Sequence, residues 1–197
     1  MSDVPEGPWL NIGCGPHCAM GWVNIDGSWQ AWLTRRPPLA QLVGFLTARE
    51  VGHWPRQIVY RDVRRGLGYA TGTVAVVFSS HFIEHLHRDE ALAFLKEARR
   101  VLAPEGVCRI VVPDVAAIVR WYLEHRSEPR APDAEPSSDM LMEMLCLRPN
   151  VRPRGRRPLG WYRRWTDFDS HKRMYDAEGL IYLFRQAGFR TLSTLRR

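Results

Sequence analysis

Trp9-Leu10-Asn11-Ile12-Gly13-Cys14-Gly15-Pro16 is the stretch whose reading decides the fold. Its first half reads as a short buried strand and its second half as a tight turn rich in Gly and Pro. Glycine there lets the chain turn sharply and lets a ligand approach the backbone with no Cβ in the way. Such a turn is common, so the surroundings must say what it holds. A dinucleotide fingerprint wants a third glycine at position 18, where Cys18 stands. It also wants an acid about 20 residues on. Asp26 comes only 11 residues after Gly15, so a nicotinamide cofactor fits poorly.

Moving outward, Gly21-Trp22-Val23-Asn24-Ile25-Asp26 reads as a second strand ending on a carboxylate. Helical material follows between Ser28 and Glu50, broken at Pro37-Pro38, with Leu39, Leu42, Val43 and Leu46 at helical spacing. Ile58-Val59-Tyr60 leads to Asp62 and a loop with Gly66 and Gly68. Thr73 to Ser79 is β-branched and apolar, the profile of a strand covered on both faces. A helix is expected from about Arg88 to Leu102, stopped by Pro104-Glu105-Gly106. Val107 to Val112 reads as another buried strand, and Pro113-Asp114 opens the next helix with Asp114 as its cap. Asp176 to Ala187 is a final amphipathic helix closed by Gly188, and Arg190 to Leu195 is a candidate last strand.

This alternation of strands and helices predicts an α/β fold: a Rossmann-like, doubly wound, mostly parallel sheet with helices on both faces. Polar residues recur at the carboxyl ends of its strands: Gly13 and Gly15, Asp26, Asp62, Ser79-Ser80-His81, then Asp114. Ligands of open α/β sheets bind in the crevice outside those ends. A single aspartate there is usually a turn or helix cap; five polar positions in order point to a site.

Leu10-Asn-Ile-Gly-Cys-Gly15, Gly21-Trp-Val-Asn-Ile-Asp26, Ser79-Ser-His-Phe-Ile-Glu-His-Leu86 and Leu102-Ala-Pro-Glu-Gly106 resemble motifs of class I S-adenosylmethionine-dependent methyltransferases. His171-Lys-Arg-Met-Tyr-Asp176, followed by Leu180 and Ala187-Gly-Phe189, is similar to the C-terminal part of their small-molecule members. The resemblance covers about residues 9–114 well and 168–190 moderately. It implies that S-adenosyl-L-methionine is the cofactor, with Gly13 and Gly15 against its methionine portion. By the same resemblance Asp26 would take the ribose hydroxyls, Asp62 and Val63 would flank the adenine, and Ser80 and His81 would face the cofactor near the pocket mouth. An ionised carboxylate accepts two hydrogen bonds, which suits a vicinal diol.

The chain departs from the pattern in three places. Asn11 stands where the family usually has an acid. The first crossover is compressed to about a dozen residues, so its helix is expected to be very short. The chain ends soon after Leu195, which leaves little room for the family's last antiparallel strand. The sheet edge is therefore expected to be incomplete or covered by a partner chain, with a homodimer as the candidate.

Methyl transfer asks mainly for in-line placement of acceptor and sulfonium, and orientation alone supplies roughly 7–11 kcal/mol of barrier reduction. A hydroxyl acceptor also profits from a general base, for which histidine is suited near neutral pH. The candidates are His81 and His171, with Asp114 behind them. His81-Phe-Ile-Glu84-His85 formally matches the HxxEH pattern of some zinc proteases. It also resembles the ExxEH metal site of small-RNA 2′-O-methyltransferases and some ubiquinone-pathway O-methyltransferases, with His81 replacing the first acid. Because of that replacement no metal is expected. Glu84 and His85 are read as settling the packing and hydrogen bonds of the segment after the strand.

The composition, 45% hydrophobic and 25% charged over 197 residues, is that of one globular domain. Residues 126–170 are expected as a substrate-covering insertion within it. The longest apolar run, Val74 to Phe78, is too short to span a bilayer, and the N-terminus shows no signal peptide, so a cytoplasmic address is expected. Four cysteines without CxxC spacing argue against disulfides, and Cys108 reads as a buried thiol. The net charge of +7 is carried by arginine, Lys96 and Lys172 being the only lysines. Seven arginines and no carboxylate lie between Arg148 and Arg164. That run suits a small polar or anionic acceptor, such as a saccharide or phosphorylated metabolite, methylated on oxygen or nitrogen. An RNA methyltransferase using residues 148–164 is the second reading, although no RNA-binding motif accompanies the run. A non-catalytic binding partner that keeps the fold is the third.

Overall fold

Ile12 sits between two strand neighbours, Ile25 on one side and Ser79 on the other, and this places the first strand at the centre of the sheet. The computed structural model describes residues 5–47, 53–127, 137–146 and 171–194. Its strands are β1 (Trp9–Ile12), β2 (Val23–Asp26), β3 (Val59–Tyr60), β4 (Val74–Ser80) and β5 (Leu102–Val111). All pairings are parallel and the order is β3-β2-β1-β4-β5. Strand order therefore reverses direction at β1 and β4, a Rossmann-like arrangement whose switch point is where such sheets bind ligands.

Helices α1 (Trp29–Thr34) and α2 (Pro37–Thr47) follow β2. Helix α3 (Arg88–Val101) follows β4, α4 (Val115–His125) follows β5, and α5 (Ser137–Met144) and α6 (Ala177–Gln186) come after them. Helix α3 forms because Ala91, Phe94, Leu95, Ala98 and Val101 recur at helical spacing and are all buried. Its ends favour it as well, with Asp89 and Glu90 in the first turn and Arg99 and Arg100 in the last, each opposing the helix dipole. Leu10, Ile12, Ile25 and Val77 of the sheet share one core with Phe94 and Leu95 of α3 and Leu183 and Phe184 of α6. Toward the other side, Trp22 meets Trp9 and Phe78 edge-on, with centroids 5.0 and 5.9 Å apart.

Several expectations need correction. The first crossover holds no helix at all: after Ile12 the chain stays irregular until Val23. Its order comes from Asn24, whose amide bonds to Ala19 N, Ala19 O and Trp22 O and takes a fourth bond from Asn11 Nδ2 at 2.9 Å. Helix α3 ends at Val101, and Pro104-Glu105-Gly106 lies inside β5 rather than in a loop that stops the helix. Glu105 adopts φ +62°, and the register with β4 shifts between Val74 and Val76. Nor is β5 buried. It is an edge among the described residues, and Val107 is 46% exposed. Cys108 on it is only partly buried, although desolvation pushes its thiol up to about 12. Leu42 and Leu46 point outward from α2. Residues 190–194 form no strand.

Asp114 caps α4 as read, Asp176 proves to be the cap of α6 rather than its first residue, and Gly188 ends the last helix at φ +93°. All four cysteines are free. No described helix is long and apolar enough to cross a membrane. Of the expected insertion at 126–170, only the turn at its start and the stretch holding α5 fall within the described residues. The arginine run 148–164 lies outside them.

Candidate active site

The turn after β1 is shaped by two glycines in left-handed backbone. Gly13 has φ +66° and donates its N–H to Ile25 O at 2.9 Å. A Cβ there would stand 2.5–2.7 Å from the ring and Cβ of Phe82, so only glycine fits. Gly15 has φ +56°, yet nothing lies within 4 Å of where its Cβ would be. One glycine is thus demanded by the protein's own packing, and the other borders open space.

Asp26 links this turn to the next one. Its Oδ2 accepts from Gly15 N at 3.0 Å and its Oδ1 from Ser28 N at 2.8 Å, in a residue only 7% exposed. Each oxygen keeps a lone pair for a further donor. The cap and the ligand contact are therefore compatible at this residue. The carboxylate charge, after burial itself, helps push the Cys14 thiol up to about 12. Asp62 begins a short 3-10 helix, Val63–Arg65, and accepts from Arg64 N, Nε and Nη2 at 3.1, 2.8 and 2.9 Å. The hydrogen bonds from the Arg64 side chain hold the Asp62 carboxyl below its ordinary range.

Gly13, Gly15, Asp26, Asp62, Val63 and His81 line one groove at the carboxyl ends of the strands. Ser80, the remaining expected cofactor neighbour, ends β4 but is not part of that lining. His81 is held at φ +52°, its N–H bonded to Val111 O at 3.0 Å, and its side chain is 63% exposed. Such backbone is uncommon outside glycine and clusters at functional sites.

Behind His81 lies a second constellation. Glu84 is fully buried, and neither carboxylate oxygen has a hydrogen-bond partner. His81 Nδ1 and His171 Nε2 approach its Oε1 to 3.4 and 3.9 Å, ion-pair distances that do not meet hydrogen-bond geometry. The Glu84 backbone carbonyl is satisfied by Lys172 N and Arg173 N at 2.8 and 3.1 Å, which pins the His171 segment to this spot. His171 is 6% exposed, its ring edge-on to His85 at 5.0 Å. The expectation that Glu84 settles local hydrogen bonds thus holds for its backbone and fails for its side chain. Tyr175 buries a hydroxyl without a partner. Desolvation raises its pKa, the Glu84 charge adds to the rise, and Arg173 and Arg88 oppose it.

Of the three candidate catalytic residues, His81 faces the groove. His171 stands behind Glu84, and Asp114 bonds Ala116 N and Ala117 N as a helix cap. Asn11, found where an acid was expected, is occupied with Asn24. Arg61, Arg64, Phe82 and His85 also line the groove and were not anticipated. They come from turns and from two three-residue 3-10 helices, segments too short for periodicity to mark which way a side chain points.

Residues 10–110, just over half of the chain, match the family described as "Methyltransferase domain". The chain belongs to that methyltransferase family. It is accordingly an S-adenosylmethionine-dependent enzyme, as the order of motifs along its strands implied. No curated protein sequence matches it. Among solved structures it is similar to a SAM-dependent methyltransferase from Thermotoga maritima, described as a possible histamine N-methyltransferase. That alignment has 15% identity and a TM-score of 0.45, over 96% of this chain and 67% of the other. It is also similar to PigF with SAH, at 14% identity and a TM-score of 0.47, over 96% of this chain. This methyltransferase spans about half of PigF's length, 47%.

Proposed function

We propose that this enzyme methylates a small polar or anionic acceptor, such as a saccharide or phosphorylated metabolite, on oxygen or nitrogen. The observation that carries the reading is a concavity beside the Glu84 segment whose lining sets Arg88, Arg173, Tyr175 and Tyr182 against a single carboxylate, Glu178. The guanidinium of Arg173 lies 5.6 Å from the Tyr175 ring centroid, and that of Arg88 lies 5.9 Å from that of Tyr182. Paired guanidiniums and aromatic faces suit phosphate, carboxylate or a sugar ring far better than an extended apolar chain. Residues 126–170 would cover the acceptor within one domain spanning 1–197.

For the cofactor, the open space at Gly15 and the spare lone pairs of Asp26 support a donor lying across the switch point. Gly13 and Gly15 would face its methionine part and Asp26 its ribose hydroxyls, with Asp62 and Val63 beside the adenine. Ser80 and His81 would stand near the reacting end. When bound, the cofactor supplies a methyl group on a sulfonium to a nucleophile placed in line with it. His81, exposed at the groove, would accept the proton of a hydroxyl acceptor. His171 would act from behind Glu84, and Asp114 through the start of α4.

Methyl incorporation from labelled S-adenosylmethionine should be measured over a panel of hydroxylated and phosphorylated small molecules, alongside total RNA. Transfer to a small anionic or hydroxylated acceptor is expected. Arg173→Ala should raise its KM at least tenfold, about 1.4 kcal/mol, and leave S-adenosylhomocysteine affinity unchanged. Incorporation into RNA alone, collapsing steeply between 50 and 200 mM salt as phosphate contacts require, would overturn the reading.

A further inference from the structure

We infer that Glu84, His85 and His171 form a binding site for a divalent cation of the borderline class, such as Zn2+, Fe2+ or Co2+. One ligand atom from each residue lies within 4.8 Å of the others. A second and independent observation comes from Glu84 itself. Its carboxylate is wholly buried, and both oxygens lack any hydrogen bond. A buried carboxylate stays ionised only when a cation or hydrogen-bond donors compensate its lost hydration. The neighbouring imidazoles approach at 3.4 and 3.9 Å without the geometry to donate to it.

The imidazoles are disposed as ligands. His171 Nδ1 rests 3.1 Å from Met174 Sδ, which leaves Nε2 as the ring nitrogen facing Glu84. The His171 segment is anchored by the backbone bonds of Lys172 and Arg173 to the Glu84 carbonyl, so it is fixed close to Glu84. Metal–nitrogen and metal–oxygen distances of about 2.0–2.2 Å require the donors to close by about an ångström, within the reach of side-chain rotation. Two imidazoles with one carboxylate select zinc and the later first-row metals over Mg2+ and Ca2+, which prefer oxygen. His81, 3.4 Å from the same Oε1 and exposed at the groove, is placed as a fourth donor from the solvent side.

Sequence had argued for a metal-free site because His81 replaces an acid. The third ligand, His171, comes from a segment that no local pattern assigns to Glu84. The inference is independent of which acceptor is methylated.

The full chain, stripped with a chelator and dialysed, should be titrated with Zn2+ by calorimetry and with Co2+ by visible absorption. One cation per chain is expected, with Co2+ ligand-field bands. Glu84→Gln and His171→Asn should each weaken binding at least about a hundredfold, the scale of losing a direct ligand. His53→Ala, at an exposed histidine away from the cluster, should leave it unchanged. Circular dichroism confirms that each variant is folded. Absence of a one-to-one complex in the wild-type chain overturns the inference. So does equal affinity in wild type and in either folded variant.

Discussion

The two flanks of the sheet's carboxyl end, walls on either side of the switch point, treat their polar groups in opposite ways. After β1, β2 and β3, the side chains of Asp26, Asn24 and Asp62 are all engaged by neighbouring backbone or by Arg64. On the β4 side, Ser79 Oγ, both oxygens of Glu84 and the Tyr175 hydroxyl are buried without partners. Native structures satisfy nearly all buried polar groups with protein or ordered water, so the two sides differ in how much of that satisfaction the chain itself provides. The first wall is preorganised by the chain itself. The second is the side on which the inferred cation would be held by Glu84, His85 and His171.

The largest test of this contrast is Asp26→Ala. It removes two hydrogen bonds to a charged group, each contributing about 1.5–3 kcal/mol, and strands the N–H groups of Gly15 and Ser28. Thermal or denaturant unfolding should show a loss of about 3–6 kcal/mol. S-adenosylhomocysteine affinity, measured on the folded fraction, should fall at least tenfold. Lowered stability with unchanged affinity would reduce Asp26 to a turn cap and leave the first wall without its ligand role.

Next in size is Gly13→Ala. Left-handed backbone in a residue with a Cβ costs about 1 kcal/mol, and the clash with Phe82 adds overpacking of about 1–3 kcal/mol. Denaturant titration should place the variant about 2–4 kcal/mol below wild type. The double variant with Phe82→Ala should recover part of the overpacking share. Additivity of the two losses would show that the ring and the turn are not in contact.

The smallest effect is expected on the second wall. Glu84→Gln, measured without added cation, should change stability by less than about 1 kcal/mol, because no hydrogen bond is lost and a buried charge is removed. A loss of about 3 kcal/mol or more, the size seen when a buried pair is broken, would mean that His81 and His171 already compensate the carboxylate. The contrast between the walls would then collapse.

How much of this was legible in the sequence depended on whether the signal was local. The glycine turn is written in residues 13–15, because only glycine tolerates φ above zero beside a packed ring. The carboxylates Asp26 and Asp62 were legible because they close apolar runs whose period sets where strands end. The helix cap at Asp114 was legible for the same local reason. Misreadings fell where a neighbour in space decided the outcome. Val107 looked buried because apolar runs usually are, but a strand at the edge of a sheet is covered on fewer sides. The first crossover looked like a shortened helix, but the Asn11–Asn24 pair across two strands ordered it as a loop.

By itself, then, the sequence determined a parallel α/β sheet, a glycine turn at its centre, the carboxylates that follow the strands and membership of a methyltransferase family. Backbone propensity and side-chain period act within a few residues, so such features survive in any window of the chain. Tertiary structure alone decided that His171 lies against Glu84 and His85, that Asn11 serves the loop, and that His81 rather than Asp114 faces the groove. Those outcomes depend on strand order and on how distant segments dock. Docking is fixed by the summed packing of the core, in which no single residue carries the address of its partner.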